Sequence, residues 1–385
     1  MKKFVVCMLI ICFMASSMVF VSAAPAQPAP MTITAKSAIL MDAGTGKVLF
    51  EQNPDERLPI ASVTKIMTML LVMEALDSGK IKYEDTVVAS ANACGMGGSQ
   101  VFLQPNESMT VKDMLKAIAV ASANDASVAM AEHLTGSEQT FIAEMNAKAE
   151  QLGMKNTHFI NTNGLDVDDH YSSAKDVALM SRELITKHPK VLEFTNIWMD
   201  TLRNGAFGLS NTNKLIRFYT GATGLKTGST SKALYCLSAT AKRNNMHLIS
   251  VVIAAPTSKD RFADATKILD YGFANYAVAA GVKKDEVLGE GQISKGLQKS
   301  VSLVADNDCE ILVAKGKQGN VKKEVVIDTQ LAAPIVKGQK VGEVVLKMDG
   351  QEIGKTDIVA ANSVDKYSFV NVMQLIVNHW VNIKS

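Results

Sequence analysis

Pro59-Ile60-Ala61-Ser62-Val63-Thr64-Lys65-Ile66-Met67-Thr68 is the stretch that decides both the fold and the chemistry of this 385-residue chain. From Ser62 to about Leu76 the apolar residues are too dense for a surface helix, which predicts a buried one. Positions i and i+3 share a helix face, so Ser62 and Lys65 are expected to touch. A serine hydroxyl needs a base, and burial lowers the pKa of a lysine so that its amine can serve as one. The stretch therefore predicts a serine nucleophile activated by a neighbouring lysine.

Two more motifs follow in order along the chain. Ser122-Ala123-Asn124 offers a second hydroxyl and an amide, and Lys226-Thr227-Gly228 offers a cation and a hydroxyl that can bind a carboxylate. Each motif alone is weak evidence, because Ser-x-x-Lys occurs four times and Ser-Ala-Asn twice. The other copies begin at Ser172, Ser229, Ser363 and Ser90, and we interpret them as caps, turns or solvated lysines. The ordered set predicts acyl transfer through a serine ester.

The set resembles the motifs of the penicillin-binding proteins and class A β-lactamases. The wider sequence is similar to the low-molecular-mass penicillin-binding proteins that are serine-type D-alanyl-D-alanine carboxypeptidases, the peptidase S11 family. Besides Pro59 to Thr68, the similarity is carried by Met96-Gly97-Gly98-Ser99-Gln100, by Ser122-Ala123-Asn124-Asp125-Ala126 and by Gly224-Leu225-Lys226-Thr227-Gly228. It runs from about Ala38 to about Tyr276 and implies an α+β, β-lactamase/transpeptidase-like catalytic domain.

The resemblance also implies a role for each motif residue. Ser62 would attack the substrate carbonyl, Lys65 would take its proton, and Ser122 would help pass a proton to the leaving amine. The expected binding residues are Asn124 for the substrate's amide backbone, Lys226 and Thr227 for a carboxylate, Gly228 for close approach of substrate, Ser229 for its backbone N–H and Arg261 for the terminal carboxylate. The N–H groups of Ser62 and Ser229 would form the oxyanion hole.

The implied reaction is removal of the terminal D-alanine from peptidoglycan stem peptides through a Ser62 acyl-enzyme, with β-lactam antibiotics acylating the same serine. Three alternatives stay open: a DD-endopeptidase with a larger leaving group, a β-lactamase of the same superfamily, and a non-catalytic wall-binding scaffold. A Glu-x-x-x-Asn-type deacylation motif is missing between the second and third motifs, which disfavours the β-lactamase. The six histidines show no metal-ligand spacing, so we expect no metal and no cofactor.

The N-terminus predicts export from a bacterial cell. Residues 1–23 have a basic start, an apolar run from Phe4 to Phe20 and small residues at Val21-Ser22-Ala23, as in a cleaved signal peptide. An uncleaved membrane anchor is the alternative. Residues 24–30 form a Pro/Ala linker. Without Lys2 and Lys3 the chain has 38 basic and 38 acidic residues, so we expect no nucleic-acid partner.

Three cysteines remain beyond the signal segment: Cys94, Cys236 and Cys309. Their odd number and wide spacing do not predict a disulfide framework. Cys236 lies in an apolar run and is expected to be a buried small hydrophobe.

The remaining chain divides into three predicted parts. Residues 31–277 are the expected catalytic domain, and strand-like stretches after about Ala280 predict a small all-β domain over residues 278–363. In residues 364–385 the polar side chains follow one stripe of a helix, at Asn371, Gln374, Asn378, Asn382 and Ser385. This amphipathic helix resembles the family's C-terminal anchors, which implies that it lies on the outer face of the cytoplasmic membrane. A helix docked on the protein's own surface is the alternative.

Overall fold

A five-stranded antiparallel sheet lies at the centre of the computed structural model, which describes residues 31–327, 331–370, 373 and 377. The sheet consists of β1 (Ser37–Asp42), β2 (Val48–Gln52), β7 (Ala222–Thr230), β8 (Leu234–Arg243) and β9 (Met246–Ala255), in the order β2-β1-β9-β8-β7. Every residue of β1 is buried, so this strand is covered on both faces. Strand β7 ends the order, and one of its edges is unpaired in the described chain.

Some predicted segments lie outside the described residues: the signal peptide (1–23), the linker (24–30) and most of the helix over 364–385. The described residues from Thr34 onward belong to one compact unit. Across the described part of the chain, the helices are too short or too polar to cross a membrane.

Helices pack against the sheet and build the rest of the catalytic region. They are α1 (Lys65–Asp77), α2 (Ala91–Cys94), α3 (Val111–Lys116), α4 (Asn124–Thr135), α5 (Glu138–Gln151), α6 (Ala174–Lys187), α7 (Leu192–Thr195), α8 (Leu215–Phe218) and α9 (Ser258–Asn275). Two small antiparallel strand pairs accompany them, β3 (Thr86–Val88) with β4 (Ser108–Thr110) and β5 (Met199–Leu202) with β6 (Phe207–Ser210). The α+β class expected from the sequence is confirmed.

Helix α1 is buried on nearly every side, because ten of its 13 residues are buried. It packs against α6, α4 and β7, so its apolar side chains have partners in several directions. The prediction of a buried helix in this stretch is confirmed. The predicted helix over Val111 to Ala121 differs in detail, because α3 changes to a π-helical turn at Ala117–Ala121. Such turns often occur at functional sites, and this one leads directly into Ser122.

Eight strands build most of the described C-terminal part, with a 3-10 turn at Gln318–Asn320. They are β10 (Tyr276–Val282), β11 (Val287–Ser294), β12 (Ser300–Ala305), β13 (Cys309–Ala314), β14 (Lys322–Ile327), β15 (Leu331–Ala332), β16 (Lys340–Met348) and β17 (Gln351–Ala360). Six of them form one sheet in the order β14-β16-β17-β12-β11-β15, and β10 pairs with β13. They enclose a hydrophobic core of their own.

The strand-like stretches in the sequence correspond to β12, β13, β14, β16 and β17, whereas β10, β11 and β15 were not predicted. Strand β11 carries Gly289 and Gly291, which weaken a strand pattern. At Gly291 a side chain would collide with Leu331, since an added Cβ would lie 2.5 Å from its Cδ1 atom. Strand β10 starts at Tyr276, directly after α9, so the predicted boundary between residues 277 and 278 falls inside a strand.

The three described cysteines are free thiols, and Cys236 is fully buried, as its apolar surroundings in the sequence predict.

Candidate active site

Ser62 lies in a tight turn that precedes α1 rather than in the α-helix itself. Ala61–Thr64 form one 3-10 turn, and Ala61 takes a positive φ of 48° that is uncommon for a residue with a side chain. In 3-10 geometry positions i and i+3 eclipse each other. Lys65 Nζ accordingly lies 2.9 Å from Ser62 Oγ.

The Lys65 side chain is fully buried and has two further partners. Its Nζ lies 2.6 Å from Asn124 Oδ1 and 2.7 Å from the backbone oxygen of Asn163. Burial holds the pKa of Lys65 well below its ordinary value, the charge of Lys226 lowers it further, and Asp125 opposes the shift. A neutral amine has two N–H donors and one lone pair. If the two carbonyl oxygens accept the N–H groups, the lone pair is left to accept the proton of Ser62.

Ser122 and Asn124 flank the junction between the π-helical turn and α4. Ser122 is buried and holds a left-handed backbone conformation at φ 63°. Asn124 bonds at both ends of its amide, because its Oδ1 accepts from Lys65 and its Nδ2 donates to the oxygen of Gly97 at 2.6 Å. In this structure the amide therefore positions the lysine and the loop before Ser99.

Asp125, the next residue, holds the backbone of Val101 and Leu103, which follow the loop before Ser99. Its carboxylate is buried and accepts backbone N–H groups from Val101, Leu103 and Ala126 at distances from 2.9 to 3.2 Å. Carboxylates that accept several N–H groups are well satisfied without a counter-ion. Asp125 thus anchors the chain directly after the Met96–Gln100 segment, which lies beside Asn124.

The third motif lies on β7, the edge strand of the sheet. Lys226 is buried with its Nζ donating to the oxygen of Thr227 at 3.0 Å. Burial lowers the pKa of Lys226 to about 7, and the charge of the nearby Arg261 guanidinium contributes a smaller part of this shift. The Thr227 hydroxyl donates to the hydroxyl of Thr212 at 2.7 Å. Two buried lysines near each other resist being charged together, which favours a neutral Lys65.

Gly228 serves a purpose that its sequence context did not reveal. A Cβ at this position would lie 2.6 Å from the oxygen of Ile60 and 3.0 Å from the nitrogens of Ser62 and Val63. The glycine therefore lets β7 approach the Ala61–Thr64 turn, in addition to any substrate. This turn carries Ser62, the expected nucleophile, and is called the nucleophile turn below. Ser229 follows it as an exposed residue near the end of the strand.

Arg261 is buried behind β7, and its guanidinium donates hydrogen bonds to backbone oxygens. Its Nη1 donates to the oxygens of Gly228 at 3.0 Å and Cys236 at 3.4 Å. The guanidinium also lies 4.7 Å from the ring centre of Phe262, in cation–π geometry. These contacts brace β7 against β8 and place a positive charge near Lys226.

One element of the site, the segment 162–170, was not predicted from the sequence. Lys65 and Thr68 donate to the oxygens of Asn163 and Thr162, and a Cβ on Gly164 would lie 1.9 Å from the oxygen of Ala61. Asn-Gly is a turn signal, but a carbonyl partner leaves no trace in side-chain patterns.

His170 anchors the C-terminal end of the segment 162–170 through two hydrogen bonds. Its Nδ1 accepts from the N–H of Ile160, so its Nε2 carries the proton and donates to the Thr64 hydroxyl at 2.8 Å. Burial, with the neighbouring His158, lowers the pKa of His170 to about 4. The ring therefore stays neutral near pH 7 and keeps this bond.

Within residues 31–327 and 331–370, no group of three or more His, Cys, Asp or Glu side chains is arranged to hold a metal ion.

Comparisons with known proteins agree on the family. A family model described as D-alanyl-D-alanine carboxypeptidase matches residues 22–257, and one described as the C-terminal domain of penicillin-binding protein 5 matches residues 280–366. The D-alanyl-D-alanine carboxypeptidase DacF of Bacillus subtilis (strain 168) is 48% identical over 91% of each chain. Penicillin binding protein 5 from Haemophilus influenzae aligns with a TM-score of 0.76 at 37% identity, over 88% of this chain and all of that one.

Ampicillin-bound penicillin-binding protein D2 from Listeria monocytogenes aligns with a TM-score of 0.59 at 36% identity, over 64% of this chain and 100% of that one.

The contact between Gly164 and the nucleophile turn can be tested by substitution. We expect Gly164→Ala to lower the free energy of unfolding by more than about 3 kcal/mol, because it adds a backbone clash to the cost of about 1–3 kcal/mol for a positive φ. Gly153→Ala is the matched control, since Gly153 also has a positive φ but open space around its Cβ position. Denaturant unfolding of both variants measures the difference. Equal losses in the two variants would show that the close approach at Gly164 is unimportant.

Proposed function

The chain belongs to the D-alanyl-D-alanine carboxypeptidase family, and on that premise we propose that Ser62 is its catalytic nucleophile and Lys65 the base that activates it. The protein is a serine-type D-alanyl-D-alanine carboxypeptidase of the low-molecular-mass penicillin-binding class, which removes the terminal D-alanine of peptidoglycan stem peptides and binds penicillins. The observation that carries the proposal is the buried amine of Lys65, 2.9 Å from Ser62 Oγ, with carbonyl oxygens as its other two partners.

Acylation then follows from these contacts. Neutral Lys65 takes the proton of the Ser62 hydroxyl as Oγ bonds to the carbonyl carbon of the penultimate D-alanine. The charge that develops on the carbonyl oxygen is stabilised by the N–H groups of Ser62 and Ser229. As the C–N bond breaks, the proton passes from Lys65, with the help of Ser122, to the leaving amine. Free D-alanine departs and an ester on Ser62 remains.

The residues of β7 orient the substrate in this proposal. The terminal carboxylate is bound by the charge of Lys226 and the hydroxyl of Thr227, and the buried guanidinium of Arg261 adds positive potential behind β7. Water then attacks the ester as Lys65 accepts its proton, the proton passes to Ser62 Oγ as the ester bond breaks, and the shortened peptide leaves. A penicillin acylates the same serine by opening its lactam ring, and its amine stays attached to the acyl group and cannot diffuse away.

The nucleophile is tested by D-alanine release from diacyl-L-Lys-D-Ala-D-Ala, with Ser62→Ala alongside the unsubstituted protein. Removing the only group that can form the ester should lower release by roughly 10⁴-fold or more, as for other enzymes that lose a nucleophile. Labelling by a fluorescent penicillin should vanish in the same variant. Ser363→Ala is the control, because it removes a serine of another Ser-x-x-Lys sequence and should keep full activity.

The alternatives give different results. D-alanine release that persists in Ser62→Ala contradicts the proposed nucleophile. Labelling without D-alanine release, together with cleavage of cross-linked peptides, indicates a DD-endopeptidase. Rapid turnover of penicillin indicates a β-lactamase, and wall binding without acylation indicates a scaffold.

The two buried lysines predict a bell-shaped pH profile of kcat/KM. Activity should fall in acid as Lys65 becomes charged, and it should fall in alkali as Lys226, with its pKa of about 7, loses the charge that binds carboxylate. In Lys226→Gln the alkaline fall should disappear. The acid fall should move to higher pH, because removing a neighbouring cation raises the pKa of Lys65.

The same variant should also lose roughly 10- to 100-fold in kcat/KM, the value of a hydrogen bond to a charged group. Lys232→Gln removes a lysine whose side chain is 60% exposed, and it should change neither limb of the profile. An acid limb that stays in place in Lys226→Gln would contradict the electrostatic coupling of the two lysines.

We further propose that the enzyme is exported, that residues 278–363 act as a separate all-β domain, and that residues 364–385 lie on the outer face of the cytoplasmic membrane. Exposure of apolar side chains at the start of this tail supports the membrane proposal. Phe369, Met373 and Val377 are spaced by four residues, on one side of a helix, and they are 81%, 46% and 54% exposed. Such a stripe is suited to the interface of a bilayer.

Vesicle flotation tests the tail. The chain without its first 23 residues should float with phosphatidylglycerol-containing vesicles. Truncation after Tyr367, which keeps the buried Val364 and its pairing with Ile335, should abolish flotation while D-alanine release persists. Apolar burial is the main attraction, so binding should survive high salt. Binding that is equal with and without the tail would contradict the proposal.

A further inference from the structure

One threonine outside the three motifs contacts the third motif and the backbone that leads into the second. Thr212 is half-buried, and its N–H donates to the oxygen of Val120, two residues before Ser122, at 3.3 Å. Its hydroxyl lies 2.7 Å from the hydroxyl of Thr227. Thr212 therefore lies at the junction between the segment that ends in Ser122 and the strand that carries Lys226.

The backbone on both sides of Thr212 is held by asparagine side chains. Asn211 Nδ2 donates to the oxygen of Ile197 at 2.7 Å, and Asn213 Nδ2 donates to the oxygen of Gly224 at 2.8 Å. The Oδ1 atom of Asn213 also accepts the N–H of Leu215 at 3.1 Å. Both asparagines are buried. The position of Thr212 relative to β7 is thus fixed, and rotation of its hydroxyl proton is the freedom that remains.

The two hydroxyls must share their protons when a carboxylate binds. A hydroxyl has one proton to donate and two lone pairs, and a carboxylate only accepts. In this structure the proton of Thr227 is directed to Thr212. To bind a carboxylate, Thr227 must turn that proton away, and Thr212 can then turn its own proton toward the Thr227 oxygen. The second bond polarises the first, because hydrogen bonds in a chain strengthen one another.

We propose that Thr212 is a positioning residue that acts through Thr227 and sets the preference for peptides that end in a free carboxylate. The inference rests on the proposed function, in which Lys226 and Thr227 bind that carboxylate. Its effect is selective, because hydrogen bonds to a charged acceptor are roughly twice as strong as those to a neutral one. A peptide that ends in a carboxamide should gain much less from the hydroxyl pair.

The test compares diacyl-L-Lys-D-Ala-D-Ala with its C-terminal amide, with D-alanine and D-alaninamide release followed by chromatography. Thr212→Val keeps the size of the side chain and removes its hydroxyl. We expect kcat/KM for the acid to fall roughly two- to tenfold, the value of one neutral hydrogen bond, and kcat/KM for the amide to change less than twofold. Thr212→Ser should restore the preference, and Thr186→Val, at an exposed threonine of α6, should leave it unchanged.

A double-mutant cycle tests the route through Thr227. In a Thr227→Val background, Thr212→Val should have no further effect on the acid-to-amide ratio. Equal losses for acid and amide, or additive effects in the cycle, overturn the proposal in favour of a purely structural role. If the valine variant fails to fold, Thr212→Ala provides the same comparison.

Failure of the proposed function is recognised separately. It shows as D-alanine release that persists in Ser62→Ala, whatever the acid-to-amide ratio of the Thr212 variants.

Discussion

Burial of one amine is the constraint on which the rest of the site depends. A lysine side chain enclosed between Ser62, Asn124 and Asn163 cannot carry its charge at low cost, because the groups around it are neutral acceptors and another cation lies nearby. The apolar packing of α1 that excludes water is therefore part of the chemistry as well as the core. Three separate segments of chain must meet to complete the enclosure.

The meeting of these segments explains the special backbone around the site. The nucleophile turn is approached by Gly228 from β7 and by Gly164 from the 162–170 segment, and at both positions a side chain would collide with the turn. Ala61 and Ser122 hold left-handed conformations in the same region. Residues in such conformations persist only where their surroundings determine them, and they gather at functional sites. Backbone, rather than flexible side chains, therefore forms much of the wall around this turn.

Much of the architecture followed from patterns along the chain. The dense apolar run after Ser62 predicted a buried helix, and alternating strands after Ala280 predicted an all-β domain, because both signals arise within one element. Strand β11 was not predicted, since two glycines weaken its pattern and one of them, Gly291, leaves room for the distant Leu331 and Leu303. The role of Arg261 at a carboxylate stays a prediction, and the backbone bonds of its guanidinium to β7 and β8 were not foreseen. Contacts of that kind depend on how strands pair, which spacing in the sequence does not express.

The sequence by itself determined which groups are available: a serine with a lysine three residues on, a second serine and asparagine, and a lysine, threonine and glycine on a strand. Residues three apart in one turn must be neighbours whatever the fold does, so the pair Ser62 and Lys65 needed no tertiary information. Only the tertiary structure decided what lowers the pKa of that lysine. Asn163 contributes a carbonyl that any residue could supply, Thr212 meets Thr227 across a gap of 15 residues, and Asp125 holds a loop by accepting N–H groups. These partners act through backbone atoms or distant contacts, which leave no periodic mark on the chain.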